Sequence, residues 1–213
     1  MRISLPDNST AGNRRLLSPD ERANRSAFTK TGRPRKPITC QFTVLIDNQE
    51  GAPYTFTGLD AGSKRSYRPL IVPTKIVSLK TGDYSIEGFE DQIAIERKEL
   101  SDLFGSLGGK GGVRRERLER EHERMRDMIV WGGFAALVIE GSLDQAMEDP
   151  PYWSRTSPES ILGTMVSWQA RYGVHWHWCG TRRWAEILTF RILERAWRKA
   201  TEARELEVHD KGE

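Results

Sequence analysis

The chain has 213 residues, 37% of them hydrophobic, and a net charge of +3 at pH 7. This length predicts one domain with a sizeable core plus a tail. No apolar run reaches about 18 residues, which excludes a membrane-spanning helix, and the N-terminus lacks the apolar stretch of a secretory signal. The two cysteines, Cys40 and Cys179, favour neither a disulfide framework nor a zinc site, so we expect reduced thiols in a cytoplasmic protein.

The positive charge is concentrated at the start of the chain. Residues 1–38 hold nine basic and three acidic residues, which leaves the remainder slightly acidic. We predict a disordered basic arm over 1–38, with a short helix starting at Ser18. The arm either holds phosphate by counterion release or only keeps the chain soluble. The folded domain is predicted over residues 39–200, and a polar, frayed tail over 201–213.

Extended segments come first along the chain. The apolar, β-branched run Phe42–Ile46 predicts a buried strand. Ile71–Leu79 predicts a second strand and Gln92–Lys98 a third, separated by a turn at Glu87-Gly88. We expect the second and third strands to pair as a hairpin.

Helical patterns follow the hairpin. Ser101 is predicted to cap a short helix, the five glycines between Gly105 and Gly112 predict a flexible loop, and a charged helix is predicted over Arg114–Ile129. Strands mixed with helices at this spacing predict an α/β fold with a central sheet covered by helices. The remaining predicted elements are a strand at Phe134–Ile139, a helix from Pro158 to about Tyr172, a strand at Val174–Trp178 and an amphipathic helix that begins at Thr181.

A cluster of charges ends the third strand. Because side chains alternate between the faces of a strand, Glu96 and Lys98 should project from one face and Arg97 from the other. Asp83 precedes this strand across the hairpin and is close enough to join the face of Glu96. This pattern also occurs on solvated strand ends and in turns, and the spacing alone leaves that reading open.

These residue types suit the hydrolysis of a phosphodiester. That reaction needs a hard cation to neutralise the phosphate and acidify a water, and Mg²⁺ takes carboxylate oxygens as ligands. Asp83 and Glu96 can supply them, and Asp47 and Glu50 could add carboxylates from a neighbouring strand end. Lys98 can hold the attacking water or stabilise the charge of the transition state.

The same residues carry a family resemblance. Thr81-Gly82-Asp83-Tyr84 followed by Ile95-Glu96-Arg97-Lys98 and then Asp102 resembles the Gly-Asp…Glu-Arg-Lys-x-x-x-Asp signature of XPF-type structure-specific endonucleases. The similarity covers roughly residues 42–195. Its other parts are Asp47-Asn48-Gln49-Glu50, Ser106-Leu107, Arg117-Leu118 with Glu121 and Met125, and Leu137-Val138-Ile139-Glu140.

The resemblance implies a restriction-endonuclease-like fold with a central mixed sheet flanked by helices. It also implies dependence on Mg²⁺ or Mn²⁺ and cleavage of branched DNA such as flaps and forks, in repair or recombination. By position, Asp83 and Glu96 would bind metal and Lys98 would serve the water. Arg97 would hold phosphate or brace the site, and Asp102 would anchor the following helix or assist the site. The resemblance implies that Asp47 and Glu50 are auxiliary acids.

Departures from the family pattern shape the expected partners. Gln49 replaces the family arginine, and Glu121 stands where relatives usually carry glutamine. Relatives commonly carry tandem helix-hairpin-helix domains, for which no room follows residue 198. We therefore expect a bare nuclease domain of a bacterium or phage, acting at the nucleoid, helped by its basic arm or by an accessory DNA-binding partner. A homodimer through the Trp-bearing final helix is also expected.

Two other functions remain open from the sequence. One is a non-catalytic DNA-binding scaffold of the same fold, and the other is a broad-specificity, resolvase-like nuclease. The alternating pair His175 and His177 could bind a metal but more often marks packing. His122, in the charged helix, is predicted to be solvated.

Overall fold

The computed structural model describes residues 31–61, 68–108 and 112–210, with Ser18, Glu21, Ala27 and Thr29, and side chains as far as residue 203. The predicted disorder of residues 1–38 falls mostly outside the described residues. The helix start predicted at Ser18 is supported, because Ser18 and Glu21 exchange the two hydrogen bonds of a capping box, at 2.8 and 3.2 Å.

Eight strands lie within the described residues. The two-residue strands β1 (Ile38–Thr39) and β3 (Leu70–Ile71) pair in parallel. The other six form a mixed sheet, and they are β2 (Val44–Asp47), β4 (Thr74–Val77), β5 (Tyr84–Ile86), β6 (Ile93–Glu99), β7 (Phe134–Glu140) and β8 (His175–Trp178). Their order across the sheet is β4-β2-β5-β6-β7-β8, with β5 antiparallel to both of its neighbours.

Five helices of the described chain cover this sheet: α1 (Leu100–Leu107), α2 (Val113–Val130), α3 (Leu143–Glu148), α4 (Pro158–Tyr172) and α5 (Arg182–Asp210). The alternation of β7 divides the core between the two faces. Leu137 packs with buried residues of α1, α2 and α4, whereas Val138 packs with those of α5. The predicted α/β fold, a central mixed sheet flanked by helices, is confirmed.

The predicted hairpin partner is wrong. The strand antiparallel to β6 is Tyr84–Ile86, which lies between β2 and β6, while Thr74–Val77 sits at the sheet edge. Tyr84, Ser85 and Ile86 are all fully buried, and three residues are too few for an alternating pattern to predict a strand. Only a turn at Glu87-Gly88 was predicted between the two strands, whereas pairing with β2 and β6 makes Tyr84–Ile86 a strand.

Several helix predictions also differ from the structure. Ser101 is not a cap, because β6 runs directly into α1 and the capping position is Glu99. Gly105 lies inside α1 rather than in a loop, and residues 109–111 of that predicted loop lie outside the described residues. Helix α3, which was not predicted, begins with a capping box between Ser142 and Gln145. The prediction of Ser157 before Pro158 at the start of α4 is confirmed.

The final helix continues well beyond the predicted domain end. It reaches Asp210, through a segment rich in alanine, glutamate, lysine and arginine, which are strong helix formers. Within the described residues, no helix combines the length and the apolarity needed to cross a bilayer.

His122 is buried, so its predicted solvation is wrong. Its Nδ1 lies 2.9 Å from the carbonyl oxygen of Leu118, and its Nε2 accepts from the indole N–H of Trp176 at 3.1 Å. Since that indole only donates, the ring is neutral, and burial lowers the pKa of His122 to about 4. The histidine therefore joins α2 to β8 as a core residue.

Candidate active site

The backbone brings Asp83 to the end of β6. The amide of Asp83 donates to the carbonyl oxygen of Ile95 at 2.8 Å, and its side-chain Oδ2 accepts from the amide of Arg97 at 2.7 Å. The carbonyl oxygen of Asp83 accepts from the amide of Asp47 at 2.8 Å, which draws the end of β2 to the same point. Three strand ends thus converge where β6 leaves the sheet.

A cleft of about 640 Å³ opens at this convergence. Every residue that the sequence nominated lines it, so residues separated by up to 55 positions form one site. These residues are Asp47, Glu50, Asp83, Glu96, Arg97, Lys98 and Asp102.

The environment of the two central carboxyl groups, those of Asp83 and Glu96, disfavours their ionised form. Burial, and then the neighbouring Glu96 carboxylate, raise the pKa of Asp83 well above its usual range. Burial also raises the pKa of Glu96, although Lys98 acts to lower it. Buried like charges repel each other, so the cleft favours a cation between these groups.

Lys98 lies on the face of Glu96, as the strand period predicts. Its Nζ is 3.1 Å from Oε1 of Glu96, and both side chains are mostly buried. Burial by itself would lower the pKa of Lys98, but the carboxylates of Glu96 and Asp83 outweigh it and raise that pKa above the usual value. Lys98 is therefore a charged ammonium group at neutral pH.

Arg97 points away from this group, again as predicted. Its guanidinium binds Glu140 in bidentate fashion at 2.7 and 3.0 Å, Glu50 at 3.2 Å and Glu99 at 2.7 Å. It also lies over the ring of Tyr54, 5.8 Å from the centroid. Of the two roles implied for Arg97, this geometry supports bracing the site, because most of its N–H donors already have carboxylate partners.

Asp47 and Glu50, which the resemblance implies to be auxiliary acids, have structural partners of their own. The carboxylate of Asp47 accepts the amides of Leu79 at 2.9 Å and Gln49 at 3.2 Å, which fastens the end of β2 to the strand beside it. Oε1 of Glu50 accepts from the amide of Ala52 at 2.7 Å as well as from Arg97. Asp102 is exposed in the first turn of α1, where a negative charge stabilises the helix dipole.

Glu121 and Glu140 are site residues whose roles the sequence did not reveal. Oε1 of Glu121 accepts the amide of Gly82 at 2.7 Å, and its other oxygen pairs with Arg124, so α2 holds the turn that presents Asp83. Glu140 ends β7 and anchors Arg97 from the neighbouring strand. Both contacts span about forty positions in sequence, and the only signal was the unusual glutamate at position 121.

Unpaired cations ring the cleft. Lys80, Arg114 and Arg117 line it and have no hydrogen-bond or ion-pair partner in the part of the chain that the structure describes. Two buried carboxyl groups at the floor and free cations at the rim would suit a cation and a polyanion at the same time.

Comparisons with known proteins agree with this chemistry. The ERCC4 domain family matches residues 46–189, which is more than half of the chain. The chain belongs to this family. All seven nominated residues lie within the matched segment of this ERCC4 domain, and the sequence resemblance to XPF-type nucleases is confirmed. Nuclease domains of this family are typically metal-dependent.

The ERCC4 domain is also similar to solved structures of an archaeal protein. XPF from Aeropyrum pernix has a TM-score of 0.49 and 20% identity, over 71% of this chain and 60% of that chain. The same archaeal protein in complex with DNA gives a TM-score of 0.45 and 22% identity, over 76% of this chain and 66% of that chain. The chain therefore spans less than two thirds of the first of these structures. No curated protein matches it.

Proposed function

We propose that this ERCC4 domain is a metal-dependent endonuclease that hydrolyses DNA phosphodiester bonds near branches such as flaps and forks. One observation carries the proposal. Two mostly buried carboxyl groups, Asp83 and Glu96, line a cleft together with the ammonium group of Lys98, and the same cleft is lined by cations that have no ion-pair partner among the described residues. The archaeal XPF that resembles this chain has been solved in complex with DNA.

The carboxylates fit a divalent cation. Within the described residues no group of three or more His, Cys, Asp or Glu side chains could hold a metal ion, and Mg²⁺ needs only one or two carboxylates besides waters and substrate phosphate. Asp83 and Glu96 would hold it, since a bound cation would favour the ionised form of these carboxyl groups, whose pKa is raised first by burial and then by neighbouring carboxylates. Asp47 and Glu50 would contribute as auxiliary acids by fixing the turn and Arg97. The bound cation would neutralise the scissile phosphate and acidify a water.

Groups of the protein would then orient the reacting atoms and stabilise the transition state. The amide of Arg97 fixes one oxygen of Asp83 at 2.7 Å, which leaves the other oxygen free to bind. Because Lys98 is an ammonium group, it donates hydrogen bonds, so it would hold the attacking water or stabilise the developing negative charge rather than accept a proton. Lys80, Arg114 and Arg117 would hold the phosphates on either side of the cut.

A cleavage panel tests the proposal. Fork, flap, four-way junction and plain duplex DNA are incubated with the protein in Mg²⁺ and in EDTA. We expect cleavage of the branched substrates only with metal, and a loss of at least about a hundredfold in Asp83→Ala and Lys98→Ala. Lys75→Ala is the matched control, because this lysine lies on the edge strand in an exposed pair with Glu87 and should cut normally.

The alternatives predict different outcomes of the same panel. Protein that binds branched DNA and never cuts it would be a scaffold. Preferential cutting of four-way junctions would indicate a resolvase-like nuclease. Cleavage in EDTA, or full activity in the Asp83 and Lys98 variants, would overturn the proposal.

A further inference from the structure

Two large aromatic side chains stand in solvent between α3 and α4. Tyr152 is 99% exposed and Trp153 is 51% exposed. They follow Pro150-Pro151, and the amide of Ser154 donates to the carbonyl oxygen of Pro151 at 2.8 Å, so the segment is a defined turn. These two adjacent rings form one exposed apolar patch, and a contiguous patch is the kind of surface feature that marks interaction sites.

The turn lies beside the catalytic cleft. Both meet helix α1 at Gly105, where an added Cβ would lie 3.4 Å from Nη1 of Arg114 and 3.7 Å from Cη2 of Trp153. The two side chains therefore converge across the bare backbone of Gly105. Since Arg114 lines the cleft, Trp153 marks a path that leads out of it.

A groove of about 550 Å³ lies along α4, and Arg155, two residues after Trp153, lines it. Its cations are Arg115, which lies 5.4 Å over the ring of Trp168, and Arg155, which has no hydrogen-bond or ion-pair partner among the described residues. Hydroxyl groups of Ser160 and Ser167 line the same groove. Arg114 lines the cleft and Arg115, the next residue of α2, lines the groove, so neighbouring arginines connect the two cavities.

We propose that this surface binds an unpaired DNA strand and leads it to or from the catalytic cleft. We name it the aromatic track and define it by Arg114, Arg115, Tyr152, Trp153 and Arg155. Exposed aromatic rings stack on bases, and arginines follow the phosphates, which is how proteins hold single strands. The bases of a duplex are already stacked on each other, so the aromatic rings select the unpaired strand.

Charge argues for a nucleic acid over a protein partner here. Arginine and aromatic residues are also enriched at protein interfaces, but the groove beside the aromatic track is lined by two arginines and several hydroxyl groups and, among the described residues, by no acidic side chain. Uncompensated positive charge of this kind suits a phosphate backbone. The inference rests on the proposed nuclease function, to which it adds the part of a branched substrate that this surface would hold.

The test measures binding in EDTA, so that cleavage plays no part. Fluorescence anisotropy gives the affinity of the full chain for labelled oligothymidylate and for a blunt duplex of equal length. The double variant Tyr152→Ala/Trp153→Ala should weaken binding of oligothymidylate by about tenfold or more and leave duplex binding within about twofold. The matched control is Trp131→Ala, because Trp131 is 87% exposed and lines a different groove, at the start of β7.

A second variant tests the cations of the same surface. Arg155→Ala should weaken oligothymidylate binding and flatten its salt dependence. Unchanged oligothymidylate binding in both variants, an equal loss on duplex, or an equal loss in Trp131→Ala would overturn the inference. Tighter binding of oligouridylate than of oligothymidylate would overturn the assignment to DNA. A protein that never cuts DNA yet shows the expected binding losses would sink the nuclease proposal and leave the aromatic track standing.

Discussion

At the scale of single residues, Arg97 shows that strand geometry predicts the direction of a side chain, whereas only the tertiary fold decides its partners. The period of two places it opposite Glu96 and Lys98, and the structure agrees. Its main partner, Glu140, lies 43 positions away on β7, so nothing local distinguished a brace from a phosphate ligand. The same limit hid Glu121, whose contact with Gly82 spans 39 positions.

Arg97→Lys should destabilise the fold. Lysine offers a point charge and cannot reproduce the planar fork that binds Glu140 in bidentate fashion. The side chains of Glu50 and Glu140 are 6% and 9% exposed, and both would lose part of the hydrogen bonding and positive charge that Arg97 supplies to their carboxylates. We expect urea unfolding to show a loss of about 3 kcal/mol, as for other broken buried pairs. Arg120→Ala, which breaks an exposed pair of 3.8 Å with Glu116, is the control and should cost under about 1 kcal/mol. Equal losses in the two variants would contradict the bracing role.

At the scale of secondary structure, long periodic segments were predictable and short buried ones were not. The strand that carries Glu96 and Lys98 and the charged helix α2 differ from their predicted bounds by one residue at each end. Strand β5 escaped prediction because it has three residues, fewer than the run of about four to eight over which alternation predicts a strand. Its placement nevertheless fixes the site, because Asp83 is the residue immediately before it.

Gly82→Ala should damage the site beyond its effect on stability. Gly82 has φ of +72°, and an added Cβ would lie 2.9 Å from the carbonyl oxygen of Ile95, a backbone atom of β6. The turn must shift to relieve this contact, and Asp83 would shift with it. We expect cleavage of a fork to fall at least about tenfold, since displacements near 1 Å from a reacting geometry are costly.

Gly88→Ala is the matched control for that change. Gly88 also has a positive φ, +81°, but an added Cβ would meet nothing within 4 Å, and the residue lies at the other end of β5. It should lower the unfolding free energy by about 1 kcal/mol and leave the cleavage rate unchanged. A similar loss of cleavage in both variants would show that the loss reflects backbone strain rather than a displaced Asp83.

At the scale of the whole molecule, the sequence predicted the layered fold and the location of the charge. Mixed strands and helices imply a covered sheet, and that architecture is confirmed. Quaternary structure was harder to predict from the sequence, because the exposure of a side chain depends on the tertiary structure. Trp197 of the final helix, expected at a dimer interface, packs on Phe42 with ring centroids 5.4 Å apart. Trp184 is 39% exposed, so the predicted homodimer would rest on that part of the helix.

The basic arm gives the last prediction, because its charge is a property of the whole chain. Residues 1–30 hold six of the basic residues and three acidic ones. Removing them keeps Lys36, whose carbonyl oxygen accepts from Arg68 at 3.1 Å. If the arm lies on DNA, each phosphate contact contributes about 0.9 to the slope of log affinity against log salt. The truncated protein should therefore bind duplex more weakly, with a slope smaller by about 2 or more.

A full-length variant with the six basic residues changed to glutamine should match the truncation, which separates charge from chain length. Identical slopes in all three proteins would make the arm a solubilising segment and leave DNA binding to the cleft and the aromatic track.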